Sequence, residues 1–186
     1  DQVLRNVPGM NFTGVPAAIS DPTGQQTKMR GMGNAKVLVL LDGVPIHDPF
    51  YLTTQWYKVP LSNIERVEII RGGNSSLWGN MATAGVVNIV SRRVRDNGGE
   101  LTASFGTQGT TNIALSKNFV VSDALSFNLA MDNYRTDGYQ TTPQEYRWRF
   151  PQKGTPHAND SNIQLTAYFK PSADLNGYLR LGYHIQ

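Results

Sequence analysis

Five stretches in the second half of this chain alternate apolar and polar side chains with period two: 101–106, 111–119, 125–134, 162–170 and 175–184. Successive side chains of a strand point to opposite faces, so each stretch predicts a strand with one oily face and one wet one. In the second, Ile113, Leu115 and Phe119 oppose Asn112, Ala114, Ser116 and Asn118. In the third, Leu125, Phe127, Leu129 and Met131 oppose Ser126, Asn128, Ala130 and Asp132. The fourth sets Ile163, Leu165, Ala167 and Phe169 against Asn162, Gln164, Thr166 and Tyr168. The fifth sets Leu175, Leu179, Leu181 and Tyr183 against Asn176, Tyr178, Arg180 and His184. Such strands suit a membrane β-barrel, with lipid outside and a polar lumen inside. A half-buried strand of a soluble sandwich alternates too, so one segment decides little. Five in succession favour the barrel.

Composition narrows the remaining classes. The 186 residues suffice for one or two domains. Before Asn97 there are 10 basic and 7 acidic residues, and after it 7 of each, so the net +3 lies in the first half. That imbalance is too mild for a nucleic-acid binder, which concentrates basic charge among aromatics. With no cysteine there is no disulfide framework and no thiolate metal site. The longest apolar run, Val37 to Leu41, is strand-sized, so no membrane-crossing helix is expected. No signal peptide precedes Asp1, which places the start of the numbering inside a mature chain if the protein is exported.

The first half reads differently. Val37–Leu41, Val67–Ile70 and Val86–Val90 are short apolar runs, the pattern of strands buried on both faces or central in a sheet. Asp42-Gly43, Gly72-Gly73, Gly79-Asn80 and Gly85 punctuate them as turns. Gln2–Asn6 reads as the end of a short helix stopped by Pro8-Gly9, and Pro60–Glu65 as a helical turn feeding a strand. The expected fold class is therefore a small α+β domain followed by antiparallel barrel strands. The arginine-rich stretch Ser91–Gly99 is expected to be the hinge, with domains at 1–95 and 96–186. Met29-Arg30-Gly31 and Ile70-Arg71-Gly72 form a weak internal echo. In the second half, Val120–Ala124 and Pro171–Asp174 are tight turns, while Thr136–Ser161 is a long loop carrying Tyr139, Tyr146, Trp148 and Phe150. Short turns on one side and longer loops on the other are the asymmetry of outer-membrane barrels. If the chain enters from the periplasm at Gly99, the 107–110 and 136–161 connections both fall outside.

Several fragments then occur in a telling order. They are Val3-Leu4 through Val7-Pro8-Gly9, Met29-Arg30-Gly31-Met32-Gly33, Val37–Leu41 with Asp42-Gly43-Val44-Pro45, Ile64–Gly72, and Leu77-Trp78-Gly79 through Gly85–Val90. The set, spanning about residues 1–93, closely resembles the plug domain of TonB-dependent outer-membrane receptors. The remainder of the chain resembles the start of the receptor barrel, closest in look to the cobalamin and catecholate-siderophore branch. The resemblance implies a fragment of a 22-stranded plugged barrel, since about five strands cannot close around a globular plug. It implies an energy-coupling segment before Asp1 and a location in the outer membrane of a Gram-negative bacterium. It further implies transport driven through the partner TonB, outer-membrane lipid and a small-molecule ligand as the other partners, no catalytic residue and no intrinsic cofactor or metal. The cargo it implies first is a ferric siderophore, with cobalamin, haem, other chelates and oligosaccharides still open.

The same resemblance assigns the floor of the ligand pocket to the loops Asn11–Thr27, Val44–Tyr57 and Ser75–Thr83. The expected contacts there are His47, Asp48, Phe50, Tyr51, Trp56 and Trp78, the last standing where the family usually has tyrosine. Aromatics on loops suit flat or chelated ligands, while the bland alternative packs Phe50, Tyr51 and Trp56 between plug and wall. Arg147 and Trp148 belong to the long loop expected to close from outside, where Arg147, Arg149, Lys153 and His157 would meet an anionic chelate. Arg30 and Arg71 resemble the family's plug arginines that meet glutamates on the barrel wall. Their alternative is local pairing with Glu65 or Glu68, or a backbone contact. Asp132, Asp137 and Asp160 offer oxygen ligands for calcium, with no motif spacing.

Two rivals of other classes stand beside this reading. An enzyme is disfavoured: no nucleophile elbow surrounds Ser75 or Ser76, Gly72–Ser76 lacks the lysine of a P-loop, and His47, His157 and His184 lack metal-site spacing. A secreted, soluble β-rich glycan-binding module stays open, distinguishable by whether the apolar stripe of 101–183 requires lipid. A receptor specialised for signalling is a close cousin within the family.

Overall fold

The computed structural model describes residues 7–13, 26–33, 36–50, 52–138, 144–149 and 157–185. The expected helix end at 2–6, the Val3-Leu4 fragment, most of the 11–27 loop, Tyr51, Tyr139, Phe150 and Lys153 lie outside these residues.

Strands dominate. A small hairpin pairs β1 (Met10–Thr13) with β2 (Gln26–Met29). A mixed four-stranded sheet comes next, from β3 (Val37–Leu41), β4 (Val44–Pro45), β5 (Ile64–Arg71) and β6 (Gly85–Ser91), in the order β4-β3-β6-β5. β3 and β6 run parallel; β5 lies antiparallel to β6. Asp42 and Gly43, with φ of 50° and 82°, make the β3–β4 turn. Positive φ at both central residues is the hairpin geometry that an Asp-Gly pair favours, and it matches the twist of the strands.

The apolar run of β3 is buried on both faces. Val37, Val39 and Leu41 join Val87 and Ile89 in one core that includes Met10, Met29, Ile46 and Val59. Leu38 and Leu40 join Ala82 and Val86 in a second. β5 departs from the expectation made for it. Val67 and Ile69 pack onto the first core, but Arg66, Glu68 and Ile70 point outward, and Ile70 is 46% exposed. It is an edge strand of this sheet, and only one of its faces is covered among the described residues.

The five alternating segments form one antiparallel meander, β11-β10-β9-β8-β7. Its strands are β7 (Gly99–Phe105), β8 (Thr111–Ser122), β9 (Leu125–Thr136), β10 (Ala158–Phe169) and β11 (Gly177–Ile185). The strands run longer than the alternation alone marks, and a register shift at Val120/Ser122 tightens the β8–β9 connection to Asp123-Ala124. Leu175 falls before its strand.

The faces are inverted relative to a soluble protein. Ala114, Ser116, Asn128, Ala130, Asn162, Gln164 and Thr166 are buried, and the helical turns at Trp56–Lys58 and Leu61–Asn63 pack against this side of the sheet. Their polar atoms bond within that face: the Asn128 amide donates to Ser116 Oγ at 3.0 Å and to Asn118 Oδ1 at 2.8 Å. Ile113, Phe119, Ile163, Leu165, Leu179, Leu181 and Tyr183 are exposed on the other side. Register aligns Leu129, Leu165 and Leu181 in one row across three strands. Lys117 interrupts this stripe. Its ammonium reaches the carbonyl of Asn97 at 2.7 Å, which leaves its methylenes along the apolar surface. No described helix is long and apolar enough to cross a membrane, which does not bear on strands.

Candidate functional site

Strand register gives the molecule two ends. Val37, Gly85 and Arg71 come together at one end of the first sheet, and Leu41, Ile89, Ser91 and Ile64 at the other. In the second sheet the tight turn Asp123-Ala124 and the seven-residue connection 170–176, longer than the turn expected at Pro171–Asp174, lie at one end, and the 106–110 and 137–157 connections at the other. The Tyr178 hydroxyl donates to the Asp42 carbonyl at 3.4 Å, so Asp123-Ala124 and 170–176 share an end with Asp42. The 106–110 and 137–157 connections therefore share an end with Val37, Gly85 and Arg71.

At that loop end the sequence-expected residues divide into displayed and internal. Phe50 is 82% exposed, and Trp78 is 41% exposed at the end of a single helical turn, Ser75–Trp78, beside the still more exposed Leu77. Trp148 is 79% exposed in the long connection, next to exposed Arg147. His47, Asp48 and Trp56 are held inside their loop instead. His47 Nε2 lies 3.2 Å from the Val37 carbonyl. Asp48 accepts from the Phe50 amide at 2.9 Å and from the Gln55 side chain at 3.2 Å, and its own amide donates to Thr53 at 2.8 Å. Trp56 packs on the first core. The loop is thus built around His47 and Asp48, and it presents Phe50.

His47 makes the loop sensitive to acid. Burial pushes its pKa below the ordinary 6.5, only partly countered by the bond to the Val37 carbonyl. The opened loop then binds a proton at a pH where the closed loop does not. Stability of the closed loop is full above 6.5 and is lost as pH falls from 6.5 toward the folded pKa. Exchange of the Asp48 and Gln55 amides should speed by up to about tenfold per pH unit in that window, after correction for intrinsic rates. His47→Gln should remove the dependence.

Arg30 and Arg71 are both exposed at the loop end, and Arg30 Nη1 lies 3.9 Å from where a Cβ on Gly72 would stand. The Arg-Gly echo of the sequence is therefore a spatial pair. Neither arginine has an ion pair among the described residues. Glu68 is engaged by Arg66 at 2.8 Å, and Glu65 lies 3.8 Å from both Arg66 and Arg95, so the local-pairing alternative is not what the structure adopts.

The turn end holds a cluster that sequence reasoning missed. Asp42 forms an ion pair with Arg180 of β11, both side chains mostly buried. Ser91 donates to Asp42 through its amide at 2.8 Å and its hydroxyl at 2.6 Å, and its Oγ accepts from Arg180 Nη2 at 3.1 Å. Arg180 is braced on its own sheet by Thr166 Oγ1 at 3.3 Å and by the Tyr178 ring, 5.2 Å from its Cζ. Tyr168 donates to the Arg92 carbonyl at 3.3 Å. Burial pushes the Asp42 carboxyl up, but the bonds from Ser91 and Arg180 outweigh that and hold it below the ordinary carboxylate range. The expected polarity is reversed here: the first sheet supplies the carboxylate and the wall strand the arginine. One signal was available, a lone arginine between Leu179 and Leu181 on the polar face. Ser91 and Arg92, read as hinge, are pinned, with Arg92 also paired to Glu100 at 2.7 Å.

Among the described residues no group of three or more His, Cys, Asp or Glu gathers to hold a metal, so Asp132, Asp137 and Asp160 do not form such a site.

A mixed α+β unit seated on the polar face of an antiparallel sheet, with the apolar face outward, is the arrangement of a plug against part of a membrane-barrel wall. Residues 1–86 match the family model of the TonB-dependent Receptor Plug Domain. Among curated relatives, the ferric enterobactin receptor of Pseudomonas aeruginosa is 29% identical over 144 residues, 69% of this chain and 18% of that protein. The vitamin B12 transporter BtuB of Vibrio cholerae is 27% identical over 135 residues, 71% of this chain and 22% of that one. The fold matches the crystal structure of the siderophore receptor PirA from Pseudomonas aeruginosa with a TM-score of 0.67 at 22% identity, over 98% of this chain and 31% of that one. Residues 1–86 are a TonB-dependent receptor plug domain, and the strands that follow are built like the first barrel strands of such receptors. The chain spans about a fifth of the length of these curated relatives. Those relatives are transport receptors and not enzymes.

Proposed function

We propose that this chain is part of an outer-membrane active-transport receptor that binds a scarce extracellular ligand and imports it to the periplasm with energy from TonB. The cell is a Gram-negative bacterium, and the apolar face of β7–β11 meets its outer-membrane lipid. The observation that carries the reading is the inversion of the second sheet: its polar face is buried under the plug and its apolar face is bare. A soluble glycan-binding module has no use for such a face in water. The plug is taken as 1–95 and the barrel segment as 96–186.

The ligand pocket's floor is assigned to Phe50 and Trp78, positioned by His47, Asp48 and Trp56 and joined by Tyr51, with Arg147 and Trp148 closing from the long connection. Arg30 and Arg71 are assigned to carboxylates on wall strands outside this chain. A ferric siderophore is the first ligand, in keeping with the names of two of these relatives. Cobalamin is the second, favoured by the likeness to a vitamin B12 transporter. Haem and oligosaccharides are further alternatives within the same receptor type.

The test is growth and uptake under iron starvation with the full-length gene deleted and restored, supplying ferric siderophores singly, with cobalamin and haem as parallel arms. Loss on one siderophore, rescued by the intact gene, is the expected result. Trp78→Ala should raise the half-saturating concentration roughly tenfold, the loss of about one buried aromatic contact. Growth unaffected on every iron source overturns the siderophore assignment.

A further inference from the structure

The plug described here is fastened to the wall at its turn end by a polar cluster. At the loop end Arg30 and Arg71 stand exposed with no ion pair among the described residues. At the turn end Asp42, Ser91 and Arg180 close a polar knot between plug and wall. Both halves of the knot are set before they meet. On the plug, the Asp42-Gly43 turn and two bonds from Ser91 aim the carboxylate. On the wall, Thr166 and the Tyr178 ring hold the guanidinium. The Ser91 hydroxyl gives its one proton to Asp42 and takes a bond from Arg180, so it belongs to both halves. The contacts among the three are polar, and Asp42 and Ser91 border a cleft of about 600 Å³ at the turn end, which gives water a route to the bonds they release. An apolar joint of the same area would offer no such exchange.

We infer that Asp42, Ser91 and Arg180 form the latch that keeps the plug closed against β10 and β11 at its periplasmic end, and that this latch sets how hard the plug must be pulled to open a path. The purpose rests on the transport reading, but the latch itself can be examined without any ligand. Arg180 acts here as a positioning residue and touches no cargo.

The experiment uses the full-length receptor in planar lipid bilayers, with urea added on the periplasmic side and ion conductance as the readout of plug displacement. Asp42→Asn and Arg180→Gln should each lower the urea midpoint for channel opening by about 1 M or more. The double variant should go no lower than the worse single, because one interaction is lost once. Asp123→Asn, a carboxylate lining the same cleft, should leave the midpoint unchanged. Barrel integrity is read separately by heat-modifiable migration on gels, which a latch variant should not alter. If the charge variants fail to assemble, Ser91→Ala tests the latch through one hydroxyl and should lower the midpoint by a smaller step. Unchanged midpoints in the assembled variants overturn the latch, and so does an equal shift in Asp123→Asn. Failure of every uptake assay would overturn the transport reading while leaving these midpoints as they stand.

Discussion

Gly85→Ala should loosen the plug sheet more than any exposed substitution in this chain. Gly85 opens β6 where it meets both β3 and β5, opposite Val37 and Arg71. An added Cβ would lie 2.5 Å from the carbonyl oxygen of Ile70 and 3.2 Å from Cε of Met29. The carbonyl belongs to a strand of the same sheet, and Met29 is buried in the first core, so neither neighbour has free space to retreat into. Overpacking of this kind costs about 3 kcal/mol, and valine would cost more. Protection of the Val86–Ile89 amides against hydrogen exchange in the full-length receptor should fall roughly a hundredfold. Unchanged protection would mean that β5 shifts outward at no cost, as an edge strand with an uncovered face is best placed to do.

Leu165→Arg carries the second large effect. Leu165 sits mid-row between Leu129 and Leu181 on the bare face of the second sheet. If that face meets lipid, arginine there costs about 2–4 kcal/mol, and Asn159→Arg, on the same face at the loop end, about 0–1 kcal/mol. Folding equilibria of the full-length receptor into lipid vesicles measure both. A water-facing sheet predicts the reverse: Leu165→Arg would be neutral and would improve solubility without lipid. The contrast between the two positions separates the barrel from the soluble module more sharply than either value alone.

Much of this was legible in the chain. Period-two alternation is a local property of the pleat, so Leu165 and Thr166 could be sent to opposite faces from order alone. The Asp42-Gly43 pair announced its turn for an equally local reason, and the unbroken apolar run of β3 announced burial on both sides. β5 was misjudged because Val67–Ile70 is too short a run to distinguish a central strand from an edge. That difference depends on which strands flank it. His47 and Trp56 were expected on display, but loop side chains turn inward or outward according to the core beneath them, and here Val37 and the first core drew them in.

By itself, then, the sequence determined which residues are oily-faced and wet-faced, where the tight turns fall, and that a small buried sheet precedes a long meander. The tertiary structure decided what the wet face is for. Arg180 and Asp42 stand 138 positions apart, and no periodicity links them. They meet because the register of β11 on β10 and of β3 on β6 brings two independent sheets to the same end. Register is a property of paired strands, absent from either strand alone, and so the latch exists only once both sheets are built.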